Sequence, residues 1–357
     1  MLPLLLALSG PARPCAALVV EEGGSASTSA QEAIVEKGPG YVETTWRVQV
    51  DHDVHQLGWI IPLYGAFQSL EEADPTRFDE LRAATAPIVW VESVGGDEDE
   101  GGGLGCGGDK SLGMSDGRGN EADSGSLGVT VVAEGFSGAF GYTVLEATSD
   151  VALLTWLDEH GFGIGPSAPA IASYVAEGGI QFLALDVSMD AADGQTRELP
   201  AVRIRTKGDS LRYPSLMAQY GMPTQVSTRV FVLGDQRATV GGGWQSEPFG
   251  TREAGSDVEG ADEAFREQLE VIGGDAPVFA EIWSGSWEGA WLTRLDTVAY
   301  KEVHQSDAVF TLDGGQEARS SELILWGTSG AGLLLPGGLL GLLAIRRRAQ
   351  RPLTPQS

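Results

Sequence analysis

The chain has 357 residues, with 50 acidic against 23 basic side chains and a formal net charge of −27. That length suits one large domain or two ordinary ones. A field of that sign repels nucleic acid and anionic headgroups, so nucleic acid is excluded as a partner.

Residues 1–17 open on Met1-Leu2-Pro3-Leu4-Leu5-Leu6-Ala7-Leu8, followed by Ser9-Gly10-Pro11-Ala12. A short apolar core ahead of small residues reads as a secretory signal, set against a buried first strand; the usual basic flank is missing, which leaves an upstream start or a truncated signal open. Residues 18–312 are expected to form one extracytoplasmic domain. Val42, Thr44, Trp46, Val48 and Val50 alternate with Glu43, Thr45, Arg47 and Gln49. Period two predicts a strand with one buried face. A polar turn over 51–56 leads to an uncharged run at 57–62, a second strand. Helical spacing follows over 76–85, stopped by Pro87, and then a short strand at 88–91. Residues 93–128 are mostly Gly, Asp, Glu and Ser. They carry too little apolar surface to offset ordering and read as a disordered acidic insertion.

Strands are predicted again at 129–132 and 141–145. Ser149 or Asp150 caps a helix over 151–159, ended by Gly161. A second helix, from Ser167 or Pro169 through Ala176, closes at Gly178-Gly179. Further strands are expected at 180–187, 201–206 and 226–233, with Asp193-Gly194 as a hairpin signal between the first two. A helix is expected at 261–271, and strands at 278–283 and 308–312. Residues 313–322 read as a polar stalk. Residues 323–345 are uncharged and rich in leucine and glycine, and Arg346-Arg347-Arg348 follows at once. About 20 apolar residues span a bilayer, and a basic flank marks the cytoplasmic side, leaving 346–357 as a basic cytoplasmic tail. The fold class expected is α+β, a mostly antiparallel sheet with a helix pair, plus one C-terminal transmembrane helix.

Several pieces in order resemble one family: Trp59-Ile60-Ile61-Pro62, Phe78-Asp79-Glu80-Leu81, Thr85-Ala86-Pro87, Leu153-Leu154-Thr155-Trp156-Leu157, Leu199-Pro200-Ala201-Val202-Arg203-Ile204, Tyr213-Pro214 and Leu292-Thr293-Arg294-Leu295. The set is similar to the bacterial family catalogued as domain of unknown function 2330, over roughly residues 15–312. The resemblance implies an exported protein, often with a C-terminal membrane segment, and implies no mechanism. The acidic insertion around Cys106 departs from the family pattern.

Candidate chemistry is sparse. Cys15 and Cys106 are the only cysteines, so a Cys-x-x-Cys zinc ribbon or thioredoxin-type site is excluded. His52, Asp53 and His55 are ligand types for a divalent cation, set against the ordinary outcome of a solvated turn. Asp97-Glu98-Asp99-Glu100 with the acids downstream offers oxygen ligands for calcium, set against a flexible acidic segment. Trp283, Trp287 and Trp291 recur every four residues. On one face they would form a platform for sugar rings or peptides; buried, they are core. No nucleophile elbow, His-Glu-x-x-His or phosphate loop occurs.

The reading that follows is a non-enzymatic protein of the bacterial cell envelope, anchored in the membrane, with a binding or structural role and an envelope protein or a glycan as partner. No cofactor is expected beyond a divalent cation. The alternatives are an envelope hydrolase using carboxylates or a divalent metal, and a calcium-responsive surface module.

Overall fold

A computed structural model describes residues 17–20, 26–52, 56–94, 128–188, 196–221, 224–255, 260–328 and 345–346. In chain order the elements begin with Ala17–Val20 (β1), Ala26–Gly38 (β2), Tyr41–His52 (β3), Gln56–Leu63 (β4), Phe67–Ala73 (β5), Thr76–Ala84 (α1) and Ile88–Val94 (β6). Next come Val129–Ser137 (β7), Phe140–Ala147 (β8), Asp150–Glu159 (α2), Ala168–Glu177 (α3), Gln181–Ser188 (β9), Thr196–Glu198 (β10), Ala201–Lys207 (β11), Leu211–Tyr213 (β12) and Ser215–Gly221 (α4). Then follow Gln225–Gly234 (β13), Ala238–Gly241 (β14), Gln245–Pro248 (β15), Thr251–Ala254 (β16) and Ala261–Gly273 (α5). The last are Val278–Trp287 (β17), Ala290–Tyr300 (β18), Ala308–Leu312 (β19), Arg319–Ser320 (β20), Glu322–Thr328 (β21) and Ile345–Arg346 (β22).

Two large sheets set the frame. One runs β15-β17-β18-β13-β2-β3-β11-β5, with β10 added beside β3 and β20 beside β17; the other runs β1-β4-β9-β8-β7. They face each other across a core that includes Val35, Trp46, Val48, Val230, Leu183 and Leu185. Helices α2 and α3 cover the outer face of the five-stranded sheet through Leu153, Trp156, Leu157, Ile171 and Tyr174, packed on Ile60, Phe182 and Ala184. The ten-stranded sheet carries α1 on its other face and, further along, α5 with β6, β16 and β21. A third small sheet, β12-β19-β14, adds Leu211, Tyr213, Ala308 and Phe310 to the main core.

Local signals explain several elements. Ser149 caps α2 by accepting from the Ala152 amide. Beyond its end Gly161 adopts φ +82°, so that the Phe162 amide reaches back to the Leu157 carbonyl, a glycine-dependent helix stop. In β3, Val42, Trp46, Val48 and Val50 are buried as the alternation requires, yet Thr45 and Arg47 on the opposite face are buried too. Helix α1 covers that second face, through Phe78 and Leu81.

The expected α+β class with a transmembrane helix is corrected here. The described chain is mostly β, in several sheets, with five α-helices placed on sheet faces. Among the described residues no helix is long and apolar enough to cross a membrane. The start of the presumed span is strand β21, which lies parallel between β6 and β16. Its Leu323, Ile324 and Leu325 are buried, and Leu323 and Leu325 pack with Phe249, Ala264 and Phe265. An apolar run satisfies a protein core as well as a bilayer, and periodicity alone does not separate the two. Residues 329–344 lie outside the described residues, and Ile345–Arg346 pairs parallel with β6. The expected stalk also belongs to the fold: β20 pairs with β17, and Arg319 reaches Glu281 at 3.2 Å. Residues 1–16, the acidic run 95–127 with Cys106, and the Asp193-Gly194 turn lie outside the described residues.

Candidate functional site

The three tryptophans do not share a face. Glu288 and Gly289 form a two-residue hairpin loop between the paired Trp287 and Ala290, with φ +47° at Glu288 and +85° at Gly289. Positive φ at both central positions is the turn that matches strand twist. The turn reverses the chain, so that Trp291 lies opposite Ser286, while Trp287 lies opposite Ala290. Trp283 and Trp287 therefore point to one side of the sheet and Trp291 to the other. Trp283 and Trp287 are half-buried against the core under α1, and Trp291 is buried.

Of the metal candidates, Asp53 and His55 lie outside the described residues, and His52 ends β3 opposite Ala26. Among the described residues no group of three or more His, Cys, Asp or Glu side chains is placed to hold a metal. His160 stacks on Trp156 at 3.8 Å, with its Nδ1 2.7 Å from the Trp156 carbonyl at the end of α2.

Two buried polar clusters were invisible in the sequence. Under α1, Glu32 receives Arg47, Arg82 and Arg229. Asp296 receives Arg229 at 2.9 Å and Arg294 at 2.8 Å. Burial alone would raise the Asp296 carboxyl; the two guanidinium groups outweigh it and hold it at about 2. The second cluster is centred on Asp307, which accepts from Tyr64 at 2.7 Å, Tyr174 at 2.6 Å and the Leu216 amide at 3.1 Å. Burial pushes Asp307 up, against the pull of these donors. Burial, then the neighbouring phenol and carboxylate, drives Tyr64 up; burial and Asp307 do the same to Tyr174. Both clusters tie distant strands together, and their charged atoms are engaged within the fold.

The open site lies at one end of the ten-stranded sheet, where three connections meet. Between β14 and β15 comes Gly243, between α5 and β17 come Asp275 and Pro277, and at the end of β18 and beyond it come Tyr300, Glu302, Val303, Gln305 and Ser306. They line a solvent-open depression of about 700 Å³, within the range of ligand pockets. Tyr300 is exposed on its rim. Gly243 has φ +94°, a conformation that favours glycine, and its bare Cα lets the Ser306 hydroxyl approach closely. Behind the wall His304 is buried against Trp244, with no hydrogen-bond partner on either ring nitrogen among the described residues. Burial lowers it to about 4. The Trp244 indole donates to the Ser306 carbonyl at 2.8 Å and fixes the loop. No local motif announces this site, because Tyr300, Glu302 and Gln305 of one segment are completed by Asp275 and Gly243 from two others.

Fold and site together define a mostly-β protein of stacked sheets, with a polar, aromatic-rimmed depression built by loops. The chain belongs to the bacterial family described as "Uncharacterized protein conserved in bacteria (DUF2330)", which it matches over residues 10–311. No curated protein matches it. Among solved structures it is similar to the crystal structure of baculovirus P35, with a TM-score of 0.34 and 8% identity, covering 82% of this chain and 94% of that chain. A likeness at that level carries no argument.

Proposed function

We propose that this chain is a non-enzymatic binding module of the bacterial cell envelope, and that the depression beside Tyr300 takes a glycan. The observation that carries the reading is an exposed aromatic ring beside two carboxylates, an amide and a hydroxyl in one open concavity. Sugar rings present apolar C–H faces that stack on aromatic rings, while their hydroxyls pair with carboxylates and amides. A binding role also accords with the two buried polar clusters, whose charged groups are spent on holding strands and helices together. Placement in the envelope draws on the signal-like run at 1–17 and not on a C-terminal helix, since 323–328 is strand.

The test is calorimetric titration of the full chain with a soluble β-1,4-linked N-acetylglucosamine tetramer and, in parallel, a maltose-type tetramer. Saturable binding of either one, lost in Tyr300→Ala and weakened in Glu302→Gln, supports the reading. Absence of binding at millimolar sugar, or binding indifferent to Tyr300→Ala, rejects it.

A further inference from the structure

The five-stranded sheet ends on β7, which pairs with β8 on one side and, among the described residues, with no strand on the other. An unpaired edge offers a row of backbone donors and acceptors to any extended chain, and proteins ordinarily blunt such edges with charge. The edge strand of the larger sheet, β5, follows that practice with exposed Glu71 and Glu72. Strand β7 carries one exposed acid, Glu134, and a bulge, yet it also leaves large apolar side chains open: Phe136 is 70% exposed and Val132 44%. Val132 is the extra residue of a bulge between Val131 and Ala133.

Register places Glu134 and Phe136 on the sheet's outer side, since they lie opposite Thr143 and Gly141, whose strand neighbour Leu145 packs under α2 and α3. The helices stop short of this end. A Cβ on Gly141 would come 3.3 Å from the Phe136 ring, so the ring lies across the glycine and stays open above. Glu134 is exposed, with no cationic partner among the described residues. The far end of the strand is tied to the larger sheet, where the Glu72 amide donates to the Ser137 hydroxyl.

We propose that β7 is a docking edge for an extended polypeptide from another protein, which adds to the sheet as a further strand. Its side chains on the outer side would place a basic residue opposite Glu134 and an apolar one opposite Phe136. Charge complementarity selects this occupant. A second copy of this chain would oppose its own Glu134 or another part of a surface of net charge −27, and like charges facing across a ladder are unfavourable. Main-chain bonds supply affinity in such strand addition, and alternate side chains supply selectivity.

The experiment uses the full chain and a fluorescent ten-residue peptide in which every second residue is in turn lysine and valine, with threonine at the positions between, so that lysine and valine share one face of a strand, read by anisotropy at physiological salt. A second peptide has the same sequence with alternate backbone amides N-methylated. Saturable binding of the first, absent for the second, is expected. Phe136→Ala and Glu134→Lys should each weaken it, by up to about fivefold for one lost cross-strand pair, with melting curves unchanged because both side chains are exposed. Equal binding of the methylated peptide, no saturable binding, or indifference to both substitutions overturns the proposal. Binding that emerges only when residues 95–127 are replaced by a short linker also overturns it, since the edge would then belong to the chain's own segment.

Discussion

The hydroxyl of Tyr174, on helix α3, donates to Asp307 across 133 residues of sequence. Tyr64 at the end of β4 supplies a second hydroxyl to the same carboxylate. This one acid thus joins the helix pair, the five-stranded sheet and the segment entering β19. Tyr174→Phe keeps the ring and removes one donor from a buried carboxylate. The expected loss is about 1.5–3 kcal/mol, the range for hydrogen bonds to charged groups. Urea unfolding checks it, and a change within error would show that Asp307 carries no charge in the fold.

Glu32 is the hub of the ion network, facing Arg47 across the β2–β3 ladder and also binding Arg82 and Arg229. Glu32→Ala leaves buried guanidinium charge uncompensated and should cost about 3–5 kcal/mol. Replacing Glu36, which pairs with Arg77 near the surface, should cost no more than about 1 kcal/mol. Comparable losses for the two would show that burial is not what sets the penalty.

The acid limb of stability has a defined contribution from His304. Its pKa falls from 6.5 unfolded to about 4 in the fold. Between those values the unfolded chain takes up a proton that the native chain refuses. Stability is therefore present above pH 6.5 and is lost as pH falls toward 4, by about 3 kcal/mol in full. Asp307, held above its ordinary value, contributes with the opposite sign, so the comparison must be made between the native chain and a variant. His304→Leu should flatten the fall between pH 6.5 and 4; denaturation midpoints that stay parallel in the two proteins across that window would contradict the assignment.

Glu288 sits at φ +47°, a conformation that costs side chains other than glycine and asparagine. Glu288→Asn creates the Asn-Gly pair that two-residue hairpins prefer. A gain of about 0.5–1 kcal/mol is expected, read as a raised Tm. A lower Tm would mean that the Glu288 side chain makes a stabilising contact of its own.

Leu323 is fully buried in β21. Leu323→Ala should destabilise by about 2–5 kcal/mol, the cost of a cavity in a packed core. An unchanged melting curve in Leu323→Ala would contradict its burial in the core.

What could be read in advance followed from local periodicity and caps. The alternation in β3 and the Ser149–Gly161 bracket around α2 each have a one-dimensional signature, and both stand in the structure. Strands β2 and β18 do not announce themselves. The first is largely polar, and the second buries Thr293, Arg294, Asp296 and Thr297, residues that pattern reading assigns to solvent. Their burial depends on partners far along the chain: Arg229 for Asp296 and Thr85 for Arg294. Of the two readings of the tryptophan triplet, buried core is the one the structure matches, because Glu288-Gly289 reverses the chain between the second and third rings and no shared face forms. The Tyr300 depression was illegible because three connections, each ordinary alone, create it.

The parallel pairing of β2 with β13 has a temporal corollary. A ribosome delivers β2 and β3 early, and they can zip at once as a hairpin. The other flank of β2 then waits for Gln225 onward to emerge. A growing or truncated polypeptide that ends before that point carries a bare ladder through its middle, the kind of adhesive intermediate that holding chaperones exist to shield.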